Sequence, residues 1–160
     1  MDHAEVATSE AYTSLMQNAS QREKDLIPKT ESLQRRIYSP VSATANNHSH
    51  NANFLVTVEM QLDKEHEETF NHWYEEEHIS KVSSVPGWIT SHKFKLFDYK
   101  DLSGKSSKPP ASYLMTSQMQ SKPEGDAEPL YLSDWEEGRA GSITKREIRI
   151  FKLHKEFVKP

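Results

Sequence analysis

Residues 54–61 read FLVTVEMQ, which in an extended chain sets Phe54, Val56, Val58 and Met60 on one side and Leu55, Thr57, Glu59 and Gln61 on the other. A two-residue period of this kind makes a strand with one apolar and one more polar face. The period returns in WITSHKFKLFDY over 88–99, in ASYLMTSQMQ over 111–120 and in KREIRIFKLHKEF over 145–157. Between the first two strands it gives way to a helical one, from an N-cap at Asp63 to about Lys81, stopped by Val85-Pro86-Gly87-Trp88. A short helical piece over 130–139 precedes the last strand. The order β-α-β-β-α-β is the ferredoxin-like split motif, an α+β fold with a four-stranded antiparallel sheet and both helices on one face. The other face is too apolar to be left in water, so a second sheet is expected against it.

Upstream the signal is thinner. Residues 9–27 carry sparse apolar points at Tyr12, Leu15, Met16, Leu26 and Ile27, interrupted at Pro28, and read as weakly helical. LQRRIY over 33–38 reads as a short strand closed by Ser39-Pro40. Residues 41–53 are small and polar with no period, and read as a flexible linker. The chain thus divides into 1–40, a linker over 41–53, and a domain over 54–157. Hydrophobic residues make up 34% and charged residues 28%, a lean balance that leaves part of the chain outside a packed body. The net charge of -4 disfavours nucleic acid as a partner, and no apolar run approaches membrane-spanning length. With no signal-peptide pattern at the N-terminus, a cytoplasmic protein is expected. Without cysteine there is no disulfide, thiolate zinc site or cysteine nucleophile.

The densest stretch is FNHWYEEEHISKVSSVPGW over 70–88. On a regular helix Phe70, Trp73, Tyr74, Glu77 and His78 fall along one side, while His72, Glu75 and Glu76 point elsewhere. The aromatic members fit a core. His78, beside Glu77 at the helix end, is either a C-terminal cap or a proton-exchanging group, because the helix dipole and the carboxylate both favour the imidazolium. His72 with Glu76 offers only two ligands on an exposed face, and His48 with His50 sits in the linker without a rigid third, so no metal is expected. No HExxH pair, phosphate-binding glycine loop or nucleophile elbow is present.

This stretch, following FLVTVEM, resembles the signature of the dimeric α/β-barrel superfamily in its EthD-like branch, a Trp-Tyr-x-x-Glu-His-Ile helix and a Val-Pro-Gly-Trp turn. The resemblance covers 54–157. It implies a barrel closed by two such units, from two chains or two tandem repeats, and a small-molecule pocket between the sheet and the helices, with His78 as its polar group. The N-terminal AYTSLMQNASQREKDLIPKTESLQRRIYSP resembles the end of the first repeat in two-repeat fungal EthD-like proteins, and RRIY at 35–38 parallels IRIF at 148–151. The chain therefore resembles one full repeat preceded by the last helix and strand of another.

The expected function is a cofactor-independent enzyme, a cyclase, dehydratase, isomerase or oxidoreductase. It would act on an aromatic or polyketide-like ligand, and the protein would be a homodimer. His78 would be the acid/base, assisted by Tyr74 and Glu77. Trp73, Trp88, His92, Tyr113, Arg149 and Glu59 would contact substrate. Strand 88–98 sets Trp88, Thr90, His92, Phe94 and Leu96 on one face, and Arg149 either holds an anion or pairs with Glu59 or Glu147. The competing expectation is a non-catalytic module that binds a ligand or a protein through an incomplete barrel.

Overall fold

The computed structural model describes residues 6, 9–46, 51–105, 108–125, 127–131 and 143–154. The chain forms two compact units, one of residues 1–39 with 95–110, the other of 40–94 with 111–160.

In the larger unit, β2 (Phe54–Leu62) is an inner strand of the sheet. It pairs antiparallel with β4 (Tyr113–Met119) on one side, Val58 opposite Met115. On the other side it pairs antiparallel with β5 (Ile143–Lys152), Val58 opposite Ile148. With β3 (Trp88–Asp101) and β1 (Gln34–Ala45), the strand order is β1-β3-β4-β2-β5. Its last four members are the ferredoxin-like arrangement, and the fold is α+β. The alternation in FLVTVEMQ is realised as expected. Val56, Val58, Met60 and Leu62 are buried on the helix-packed face, against Phe70, Trp73, Tyr74 and Val82. Leu55, Thr57 and Gln61 on the opposite face remain half-exposed.

The fifth strand extends the expected four-stranded sheet. The N–H of Leu102 donates to Leu33 at one end, and that of Asn46 to Ile89 at the other, so β1 runs antiparallel along the edge beside β3. The strand does not stop at Ser39-Pro40; it runs to Ala45, and residues 41–45, expected in the linker, are strand. Proline lacks a ladder donor, and an edge strand can turn that position outward. Residues 47–50 lie outside the described residues, as does most of the helical piece expected over 130–139; Leu130 and Tyr131 belong to a 3₁₀ turn, Glu128–Tyr131.

The helix expected over 63–81 begins as a 3₁₀ turn at Lys64–His66 and continues as α3 (Glu67–Trp73). It widens to a π turn over Tyr74–His78 and ends as α4 (Ile79–Ser83). Asp63 stands at the N-terminal position but makes no side-chain cap.

In the smaller unit the single helix expected over 9–27 is two, α1 (Glu10–Gln17) and α2 (Gln21–Leu26). Ser20 starts the second. Its hydroxyl accepts from the Glu23 N–H at 3.2 Å and the Glu23 carboxylate accepts from the Ser20 N–H at 2.8 Å, a reciprocal capping box.

Candidate functional site

The π turn decides what the helix presents to the sheet. The N–H of Ile79 bonds to the carbonyl of Tyr74, five residues back, which brings positions i and i+5 onto one side. Trp73 and His78 therefore meet, ring centroids 4.5 Å apart, and Tyr74 lies 5.1 Å from the same imidazole. Trp73, Tyr74 and His78 are all buried, His78 with 3% of its surface exposed. Two expectations change. The helix runs on to Ser83, so His78 sits within it and not at its end. The wider turn also carries Glu77 to the exposed side, away from the buried stripe. The Tyr74 phenol is pushed well above its ordinary range, first by burial and then by the Glu75 carboxylate, so at neutral pH it offers a proton to hydrogen bonds and does not exchange one.

A buried charge completes the cluster. The Lys93 side chain on β3 is fully buried, its Nζ 2.6 Å from Glu75 Oε1 and 4.5 Å from the centre of the Tyr74 ring. Ser42 of β1 donates to the same carboxylate oxygen at 2.7 Å. Partial burial opposes charge on Glu75. The hydrogen bonds from Lys93 and Ser42 and the nearby ammonium outweigh it, and the carboxyl is held below the usual carboxylate range. Next along β3, Ser91 accepts from the Trp88 indole N–H at 2.9 Å and its hydroxyl meets that of Ser117 at 2.7 Å. A polar layer of His78, Lys93, Ser91 and Ser117 thus lies between the helix and the sheet, where hydrophobic contacts alone would suffice for folding. Sequence reasoning missed Lys93. The signal was its odd-numbered position beside Ser91, which the alternation Thr90, His92, Phe94 assigns to the helix-packed face.

The expected substrate contacts divide between the two faces. Trp73, Trp88 and Tyr113 are buried on the helix side. Tyr113 packs 5.7 Å from Phe70 and its hydroxyl accepts from Asn71 at 3.3 Å. Trp88 does not share a face with His92. As the first strand residue after the Pro86-Gly87 turn it packs with Val82, Val85 and Met119. Glu59, Arg149 and His92 belong to the opposite face. Thr116, Thr57 and Arg149 stand in one row across β4, β2 and β5. Arg149 is held by Glu147 at 2.7 Å and lies 3.8 Å from the buried Glu59, the ion-pair alternative for this residue. His92 stacks on Phe94, ring centroids 5.9 Å apart, with Nε2 3.2 Å from the Thr90 hydroxyl.

Neither of two cavities lined by described residues touches His78. One of about 340 Å³ lies at the end of β2 and β5, between Asn53, Phe54, Gln118, Phe151 and His154. The other, about 300 Å³, belongs to the smaller unit. Ligand atoms of Asp63, Glu65 and His66 lie within 4.8 Å of one another, a surface trio of a kind common without any ion. No described helix is long and apolar enough to cross a membrane.

No protein-family model matches the sequence, and no curated protein matches it. Solved structures do match. An anthrone oxidase-like protein superposes with a TM-score of 0.61 at 11% identity, over 91% of this chain and 68% of its own. A candidate monooxygenase of Fusobacterium nucleatum gives 0.50 at 11% identity, over 91% of this chain and 64% of its own. One of Lactobacillus acidophilus gives 0.50 at 14% identity, over 89% and 64%. The chain spans about two thirds of the length of these proteins. They share the dimeric α/β-barrel fold, and the likeness, at such identity, is one of fold.

Proposed function

We propose that this chain is the sheet-and-helix unit of a dimeric α/β-barrel enzyme of EthD-like type, a cytoplasmic protein that binds a small aromatic or polyketide-like molecule and moves protons on it without a cofactor. One observation carries the reading: a histidine and a lysine are buried together with aromatic walls between helix and sheet, where the resemblance implies the pocket. Burying such groups is costly unless they are paired and used, and clusters of this kind concentrate at functional sites. His78 takes a proton from a carbon or hydroxyl acid. The Lys93 ammonium, paired with Glu75, faces the anion left behind. Trp73 and Tyr74 flank the imidazole and provide flat apolar surface for a ring. Cyclisation, dehydration, isomerisation and oxidation all contain such a step. The fold neighbours named as an oxidase-like protein and candidate monooxygenases favour oxidation, in which dioxygen would accept the electrons of the anion.

The barrel is completed by a second copy seated on the open sheet face, where Leu55, Leu114 and Thr116 are half-exposed with no described element over them. The position of β1 at the sheet edge beside β3 supports the two-repeat origin of the N-terminal segment.

The test is turnover of a panel of hydroxylated anthrones and naphthols, followed by absorbance, with binding followed by thermal shift. His78→Gln, close in size, should lower the rate by about a hundred- to ten-thousand-fold while the variant still folds. If it turns over substrate at the wild-type rate, the acid/base assignment is lost. If members of the panel bind and none reacts, the protein is a binding module; if none binds and light scattering gives a monomer, the enzyme reading fails.

A further inference from the structure

The smaller unit contains a cavity that the proposed chemistry does not use. It measures about 300 Å³ and is lined by Tyr12, Thr13 and Leu15 of α1, Arg35 of β1, and Lys100 and Leu102 of β3. That volume is at the lower end of the range for small-molecule sites, enough for one or two fused rings. Its walls divide by chemistry. Tyr12 and Leu15 lie one turn apart on α1 and Leu102 faces them, so one side is apolar; Leu15 is 59% exposed, an unusual state for a leucine lining a cavity. The other side is cationic. The hydrogen bond from Leu102 to Leu33, with the one from Asn46 to Ile89 in the same register, sets Arg35 directly opposite Lys100 on the antiparallel pair. Like charges in that relation repel, and the pair is tolerated where a negative group stands near.

Asp98 supplies part of that charge, 2.5 Å from Arg35 Nη2. Lys100 makes no ion pair among the described residues, and Arg35 Nε is buried with no hydrogen-bond partner. The guanidinium carbon lies 5.5 Å from the centre of the Tyr12 ring, within cation–π range. Two cations against one carboxylate leave one positive charge over, facing an apolar slot.

We propose that this cavity is a binding site for a small aromatic carboxylate. Its ring would cover Leu15 and Leu102 against Tyr12, and its carboxylate would lie between Arg35 and Lys100. The site is separate from the His78 cluster and does not depend on the function proposed above.

The probe is 2-naphthoate, titrated into the full-length protein by calorimetry and followed by amide chemical-shift changes, with neutral 2-naphthamide as the control. The expected result is saturable binding of 2-naphthoate, at least tenfold weaker binding of the amide, and shifts at Tyr12, Thr13 and Leu102. Lys100 is exposed, so Lys100→Gln should fold normally and weaken binding at least fivefold, while Lys100→Arg retains it. Arg35→Gln should abolish binding, but it also removes the Asp98 pair, so Lys100 is the deciding variant. His78→Gln should leave the affinity unchanged. The proposal is overturned if 2-naphthoate does not bind, if the amide binds as tightly, if Lys100→Gln changes nothing, or if the shifts fall at Trp73, His78 and Lys93 instead.

Discussion

Glu75 and Lys93 form one contact, yet removing either partner should cost very different amounts. The Lys93 side chain is 0% exposed and that of Glu75 41% exposed. Glu75→Gln leaves an ammonium sealed under the helix with an amide and the Tyr74 ring for company. An uncompensated buried charge of this sort costs roughly 3–5 kcal/mol, and the water on one side of position 75 puts the expectation at about 3. For a chain of this length, at about 2–4 °C per kcal/mol, the melting temperature should fall by roughly 6–12 °C. Lys93→Met removes the charge and keeps most of the volume, leaving a carboxylate that still accepts from Ser42 and can turn to water. Its cost should be about 1 kcal/mol or less. Urea unfolding followed by tryptophan fluorescence measures both. If Lys93→Met proves as damaging as Glu75→Gln, the ammonium is not the group whose burial sets the energy, and the account of the pair is wrong.

The same pair sets a pH dependence. The Glu75 carboxyl is depressed in the folded state, so its contribution is complete above the ordinary carboxylate value of 4.5 and is lost as pH falls through the folded value; wild type should lose this increment in acid and Glu75→Gln should not. Trp73→Ala should cost about 3–5 kcal/mol in unfolding free energy, since it empties space beside Phe70 and His78. Gly87→Ala should cost about 1–3 kcal/mol by the same measurement, because Gly87 has φ +79° and a Cβ there would come within 2.6 Å of the Ser121 hydroxyl. Arg149→Gln should change stability by about 1 kcal/mol or less, its close ion pair with Glu147 being exposed, and a larger loss would mean that the contact with the buried Glu59 matters more than its 3.8 Å suggests.

The strands were legible because each alternates over six or more residues between a buried and an open face, and a slip by one would invert every side chain. FLVTVEMQ and WITSHKFKLFDY show this most clearly. RRIY was read as a strand, parallel to IRIF, and it lies at the sheet edge beside β3. Its continuation through Pro40 was not legible, because SATA has no period, and it is a strand by virtue of the neighbour it pairs with. The candidate site was half legible. Phe70, Trp73, Tyr74 and His78 were placed on one side, correctly, by a wheel of 3.6 residues per turn; the same wheel put Glu77 among them, and the exposed Glu77 shows where it failed. Lys93 escaped because its charge suggested solvent, and only the carboxylate of Glu75, from a distant part of the sequence, makes its burial tolerable.

The π turn at Tyr74–His78 has a consequence for ancestry. Such a turn holds one residue more than the α-helix it interrupts, and is what a single-codon insertion into a regular helix would leave behind. Glu76 and Glu77 are exposed, and Glu75 is exposed on one side while its carboxylate holds Lys93 and Ser42, so a residue added here would fall largely where side chains meet water. From His78 onward the helix is then one position out of step with any relative lacking the insertion. A gapless comparison would set His78 against the wrong neighbour and miss its kinship with an equivalent histidine, although the two occupied the same place in space.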